Sequence, residues 1–277
     1  LRKLLPLVQQ SAAHHRDCRM STLTLTVLGC GSSSGTPVIN CDCETCLSNA
    51  PENQRSRCSA WLQSDNGASI VIDTGTDFRT QALRERISHV DAVLYTHPHA
   101  DHLNGIDDLR AFCYQQKAAI PVYGNGFTLA NIQSRFDYAF LEPRDFWDKP
   151  VLKAHGLQAA QTIAGLPVQA FTVPHGRWSV SAFRIGNIAW LTDLNDISDE
   201  VITQLQGLDY LFLDCLMEHD YPSHLSVERA FAFAQRIAAK QTYLIHMTHR
   251  LGYHELQTRC PEGIAVAYDG LSVTSGL

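Results

Sequence analysis

The sequence has no apolar run approaching the ~20 residues that a membrane-spanning helix needs, which excludes a helical membrane protein from this reading. It also has no surplus of positive charge: 22 Lys and Arg stand against 28 Asp and Glu, for a formal net charge of −6. That balance opposes tight, nonspecific binding to a long polyanion such as RNA. It leaves room for a small phosphate ester, because bound cations can supply local positive charge. No low-complexity linker or internal repeat interrupts the 277 residues, a length suited to one large domain with a real core. Residues 1–20 lack a continuous signal-type core and a convincing small-residue cleavage site, and they contain Pro6, His14, His15 and Arg16. They read as a poorly ordered N-terminal extension, with Met20 a candidate start and Thr22 opening the first strand.

Nine cysteines are an odd number, so a fully paired disulfide set is not expected. Three of them form Cys41-x-Cys43-x-x-Cys46. With no signal segment the sequence points to the cytoplasm, where such a cluster more often binds metal than forms disulfides. Cys30, Cys58, Cys113 and Cys215 sit beside apolar or small residues and read as buried hydrophobes.

The most informative stretch is His97-Pro98-His99-Ala100-Asp101-His102, directly after the apolar run Asp91-Ala92-Val93-Leu94-Tyr95. A strand ending in so many ligand side chains delivers them together to one end of a sheet. Imidazole nitrogen and carboxylate oxygen suit zinc, manganese or iron. In an extended segment His97 and His99 share a side, and Asp101 and His102 follow as the chain turns. Other short apolar runs end in the same residue types: Ile70-Val71-Ile72-Asp73, Phe171-Thr172-Val173-Pro174-His175, Ile188-Ala189-Trp190-Leu191-Thr192-Asp193 and Thr242-Tyr243-Leu244-Ile245-His246.

These motifs, in this order, resemble the metallo-β-lactamase superfamily. The resemblance implies an αββα sandwich, whereas composition and periodicity alone say only α/β or α+β. It implies that His97, His99 and His175 bind one divalent ion and that Asp101, His102 and His246 bind a second. Asp193 would bridge the two. Asp at 193 and His at 99 depart from the zinc β-lactamases and the flavodiiron reductases, which carry Cys and Glu there. Asp73 is expected to hold a ligand histidine in its tautomer. Phosphodiesterases of the superfamily place a non-ligand His before the late helix, and His224 fits that position as general acid, with His219 the runner-up. His224, Asp101 and Asp73 make up the expected catalytic group. The mix of ligands suits Mn2+ or Zn2+.

The Cys-x-Cys-x-x-Cys segment and His249, three residues past His246, further resemble the PhnP-like phosphodiesterases. That implies one structural Zn2+ on Cys41, Cys43, Cys46 and His249, in a small insertion at 41–58 of a single domain at 21–277. The glycine-serine loop from Leu28 to Pro37 is either a connector or a source of backbone amides for a substrate phosphate. The expected reaction is hydrolysis of a small phosphodiester, with 5-phosphoribosyl 1,2-cyclic phosphate the leading candidate and a homodimer possible by resemblance. Two alternatives are an RNA-processing hydrolase like the tRNA 3′-endonucleases and a non-hydrolytic carrier like the member of quinone-cofactor biosynthesis. The first usually carries a long basic arm, which is not found in this sequence.

Strands are expected at 23–28, 59–63, 69–73, 92–96, 120–124, 166–173, 179–185, 188–191, 210–214, 243–246 and 270–273. Helical spacing covers 77–87, 106–116, 127–136 and 225–239. Turns are expected at Asp65-Asn66-Gly67 and at Gly186-Asn187. Residues 143–155, with Phe146 and Trp147, read as irregular, either over a site mouth or as a solvated connector.

Overall fold

The computed structural model describes residues 21–141 and 151–277. The expected N-terminal extension, and Phe146 and Trp147 of the irregular segment, lie outside the described residues. The first half of the chain supplies β1 (Thr22–Gly29), β2 (Ser59–Ser64), β3 (Ser69–Ile72), β4 (Ala92–Leu94), β5 (Ile120–Gly124) and β6 (Leu152–Gly156). The second half supplies β7 (Ala160–Ile163), β8 (Leu166–His175), β9 (Trp178–Ile185), β10 (Ile188–Leu191), β11 (Tyr210–Asp214), β12 (Gln241–Ile245) and β13 (Ile264–Val266). The final strand, β14 (Ser272–Gly276), crosses back to pair with β1, giving two seven-stranded sheets.

Period-two burial explains how the sheets stack. Leu23, Leu25 and Val27 project from one face of β1, and with Leu62, Ile70 and Ile72 they join one apolar cluster with Val168, Phe183, Trp190 and Leu244 of the second sheet. The opposite face of the first sheet, with Trp61, Val71 and Val93, packs instead on Phe78 and Ala82 of helix Phe78–Arg84 and on Leu109 and Phe112 of helix Leu109–Gln116. On the far side, helix Val227–Ile237 buries Val227, Ala230, Phe233, Ala234 and Ile237, a three-and-four spacing that faces the second sheet. The result is the expected helix–sheet–sheet–helix sandwich. Each fully buried Leu, Ile or Phe contributes roughly 1.5–3 kcal/mol, so the apolar contact between the sheets also fixes where their strand ends lie.

Direction matters more than strand count. β3, β4, β5 and β6 run parallel, as do β10, β11, β12 and β13. β8 is antiparallel to β9, which is antiparallel to β10, so β8 runs with β10. Carboxyl ends of parallel strands collect at one edge of each sheet, the usual place for a ligand site in parallel α/β sheets.

Several elements differ from the sequence reading. Residues 152–155, expected to be irregular, belong to β6, where pairing with β5 supplies the backbone partners that Lys153, Ala154 and His155 do not advertise by alternation. The short strands β7 and β13 and the helices Glu44–Leu47, Asp199–Gln204 and Tyr253–Arg259 were not anticipated. The helix expected at 106–116 divides into a 3-10 turn at Ile106–Asp108 and an α-helix at Leu109–Gln116. Gly67 (φ 93°) and Gly186 (φ 56°) sit at the expected turns.

Candidate metal centre

Three of the strand-end side chains are aimed by an unusual backbone. Asp73, Asp193 and His246 follow β3, β10 and β12 with φ of 60°, 55° and 61°. Left-handed conformation is costly for residues with a Cβ and clusters at functional sites. Here it turns each side chain out of its sheet toward the seam between the sheets. The His97–His102 segment reaches the same seam from β4, with His99 as N-cap of a single helical turn at Ala100–Leu103. Gly75 explains how close the two loops can come: a Cβ there would lie 1.8 Å from the Asp101 carbonyl oxygen.

The expected ligands converge. One ligand atom each from His97, His99, His175 and Asp193 lies within 4.8 Å of the others, and Asp101, His102 and His246 form a second such group. Asp193 faces both. Its Oδ2 is 3.7 Å from His97 Nε2, while its Oδ1 is 3.1 Å from His102 Nε2 and 3.4 Å from His246 Nε2. Asp101 Oδ2 is 3.3 Å from His102 Nε2 and 3.7 Å from His246 Nε2. His97 Nε2 and His99 Nδ1 face each other at 2.8 Å. His102 and His246 are fully or nearly fully buried, yet their Nε2 atoms have no hydrogen-bond partner. Buried polar atoms are normally paired, so orphaned imidazole nitrogens converging on carboxylates fit divalent ions well.

The outer nitrogens of His102 and His175 are held by the protein. His102 Nδ1–H donates to Asp73 Oδ2 at 2.7 Å, and Asp73 also accepts from Thr96 N (2.8 Å) and Thr96 Oγ1 (2.7 Å). His175 Nδ1–H donates to the Ser223 carbonyl at 2.8 Å. These bonds put the protons on Nδ1 and leave Nε2 for the seam, the tautomer a metal requires. Burial opposes ionisation of Asp193, but His102, His246 and His97 override it and hold its carboxyl well below the usual range. Burial likewise opposes charge on His102, and Asp193, Asp101 and Asp73 override it, raising its pKa well above 6.5.

His224 stands beside the ligand groups. Its ring stacks on His246 at 4.9 Å and 8°, and its Nε2 is 3.9 Å from Asp193 Oδ2. With Asp193 and His246 it makes a third set of atoms close enough to share an ion. Asp214, at the end of β11, organises this corner. Its Oδ1 accepts from Asp193 N and from His224 Nδ1, both at 3.0 Å, and its Oδ2 accepts from Leu225 N at 2.9 Å. Burial pushes the His224 pKa down, but Asp214 and then Asp193 carry it up to about 9. Sequence reasoning passed over Asp214, although the apolar run before it carried the same signal as the other strand ends. His219 is exposed and belongs to none of the groups.

The cysteine insertion is also assembled. Cys41 Sγ and Cys43 Sγ lie 3.3 Å and Cys46 Sγ 3.5 Å from His249 Nδ1, a three-sulfur, one-nitrogen set that suits tetrahedral zinc. Arg55, unremarked in the sequence, ties this insertion to the turn that follows His246. It is 2% exposed and donates to the carbonyls of Glu52, Thr248 (3.2 Å) and Leu251 (2.7 Å) and to Asn53 Oδ1. Of the two readings of the glycine-serine loop, the connector fits better, because most of its amides are bonded within the fold. Cys30 N is bound to Asp269, Gly31 N to Ser56 O, Ser32 N to Met247 O, Gly35 N to Ser32 O and Thr36 N to Arg55 O. The loop is a brace, and Asp269 is more than a turn residue: it also accepts from Ser56 N at 2.9 Å and Arg84 Nη1 at 3.3 Å.

The described residues contain no helix long and apolar enough to cross a membrane. The family model for the Beta-lactamase superfamily domain matches residues 68–247. The crystal structure of a new diphosphatase from the PhnP family is 37% identical, with a TM-score of 0.87, covering 93% of this chain and 99% of that one. Zn2+-bound PqqB from Methylobacterium extorquens shares the fold at 18% identity and a TM-score of 0.73, covering 90% of this chain and 99% of that one. An octanoyltransferase of Porphyromonas gingivalis is 35% identical over 249 residues, 88% of this chain. This chain spans about half of that curated relative's length (50%). With the matched family model covering the ligand-bearing strands, the chain belongs to the beta-lactamase superfamily.

Proposed function

We propose that this domain is a binuclear metal-dependent hydrolase of small phosphodiester or diphosphate bonds. The observation that carries the reading is Asp193, whose two oxygens face two separate ligand groups, with His224 at the edge of both. In this reading His97, His99 and His175 hold one divalent ion, Asp101, His102 and His246 hold the other, and Asp193 is shared. Such ions, zinc or manganese by donor chemistry, bring the pKa of bound water toward ~7 and polarise phosphoryl oxygens. The chain's own contribution is positioning and proton supply. Asp73 and the Ser223 carbonyl orient His102 and His175. Asp214 orients His224, whose Nδ1–H it accepts, so that Nε2–H faces the pocket and can protonate the departing oxygen. Cys41, Cys43, Cys46 and His249 hold a structural zinc that pins the insertion beside the His246 turn. None of the eight described cysteines is in a disulfide, which fits a reducing compartment such as the cytoplasm.

The diphosphatase name of the 37%-identical structure supports attack at phosphorus, and the net charge of −6 disfavours a long RNA substrate. A second reading, hydrolysis of an acyl thioester, is favoured by the acyl-transfer name of the P. gingivalis relative. Turnover separates them: the Mn2+- or Zn2+-loaded protein is offered bis(p-nitrophenyl) phosphate, a 2′,3′-cyclic nucleotide, a pre-tRNA and octanoyl-coenzyme A. Phosphodiester cleavage is expected. Thioester cleavage without it overturns the proposal.

A further inference from the structure

Beyond the ligand groups, the surface beside His99 is aromatic. Trp178, which starts β9 opposite His175, packs its ring 5.0 Å from the ring of His99. Phe127, the second residue of helix Gly126–Arg135, lies edge-on to Trp178 at 5.7 Å. Arg177 places its guanidinium over the Trp178 ring at 5.7 Å. Trp178 is 36% and Phe127 52% exposed, so both rings keep accessible surface next to a half-buried metal-ligand candidate. Across the site Tyr221, also exposed, lies 5.9 Å from the His224 ring.

An exposed Trp and Phe in edge contact, continuous with His99, form a platform for a flat ring. Whatever occupies it must hang from the group held at the ligand cluster. Such an occupant is a phosphate with an aromatic ring attached. Bases stack on aromatic side chains with little regard to sequence, because each base has a π-face.

Resting on the phosphoryl-hydrolase reading above, we propose that the wall formed by Trp178 and Phe127 binds the nucleobase of a nucleoside phosphate substrate, so that base-bearing phosphates are preferred over base-free sugar phosphates. Trp178 and Phe127 are specificity residues in this account and take no part in bond breaking.

The test is calorimetric binding of AMP and of ribose 5-phosphate to the Mn2+-loaded protein, its Trp178→Ala, Trp178→Phe and Phe127→Ala variants, with bis(p-nitrophenyl) phosphate turnover measured alongside. The wild type is expected to bind AMP about tenfold more tightly than ribose 5-phosphate, the scale of one stacked base. Trp178→Ala should remove most of that preference without changing ribose 5-phosphate binding or metal content. Phe127→Ala should weaken the preference, and Trp178→Phe should retain it. Equal binding of the two ligands by the wild type, or a preference that survives Trp178→Ala, overturns the assignment of the wall. Loss of metal or of ribose 5-phosphate binding in Trp178→Ala, with Trp178→Phe equally impaired, also overturns it and leaves Trp178 as support for His99. Preserved AMP preference without phosphodiester turnover leaves the wall standing and removes the hydrolase reading alone.

Discussion

Asp73→Asn separates control of a tautomer from loss of bulk. Asn has the shape of Asp and shares its tolerance of the left-handed backbone, which φ of 60° demands. Its amide oxygen can still accept from Thr96 N, as Asp73 does at 2.8 Å. Its NH2 group would then face Thr96 Oγ1 and His102 Nδ1, now 2.7 Å away each. Two donors cannot share that contact. His102 escapes by moving its proton to Nε2, the atom 3.1 Å from Asp193 and 3.3 Å from Asp101, and a protonated Nε2 cannot hold a metal. Loss of such an orienting partner lowers metal affinity about 10–100-fold, or about 1.4–2.7 kcal/mol. Competition against a chromogenic chelator, with metal counted by mass spectrometry, measures it. Far-UV circular dichroism should be unchanged. Wild-type affinity in Asp73→Asn would refute the tautomer argument.

His224→Ala should slow phosphodiester turnover by about 10²–10⁴-fold, the range of general acid–base catalysis, with catalytic metal content intact; if the variant loses metal instead, His224 is a ligand alongside Asp193 and His246. Cys46→Ser should cost one zinc equivalent per chain and lower the melting temperature, and an unchanged zinc count would show that the insertion holds none. Arg55→Met strands the carbonyl of Leu251, a loss of roughly 1–3 kcal/mol, so a melting temperature equal to wild type contradicts the bracing role. The lowered pKa of Asp101 and Asp193 adds stability that is present above 3.8 and lost as pH falls through their folded values, while the raised pKa of His102 adds stability present below 6.5 and lost as pH rises through its folded value. Metal must displace the His102 proton, so affinity should climb with pH; a flat affinity between pH 5 and pH 8 would sink this linkage.

The ligands were legible in the sequence because each ends an apolar run, and the parallel order of the strands carries every such end to one seam. Asp214 carried the same mark, yet its work is to accept bonds from Asp193 and His224, partners that only the sheet brings near. Arg55 left no mark, since three of its four acceptors are backbone carbonyls, two of them more than 190 residues away. The loop at 28–37 reads from sequence as either a connector or an amide source, and only its bonds to Asp269, Ser56, Met247 and Arg55 make it a brace. β6 escaped notice because parallel pairing, and not an alternating pattern, makes it a strand.

Anomalous scattering from crystals of the Mn2+-loaded protein tests the central claim most directly. The account expects two distinct manganese peaks in the seam, one against His97, His99 and His175 and one against Asp101, His102 and His246, with an oxygen of Asp193 on each. A single peak, or a second one held by His224 in place of Asp101, would contradict it.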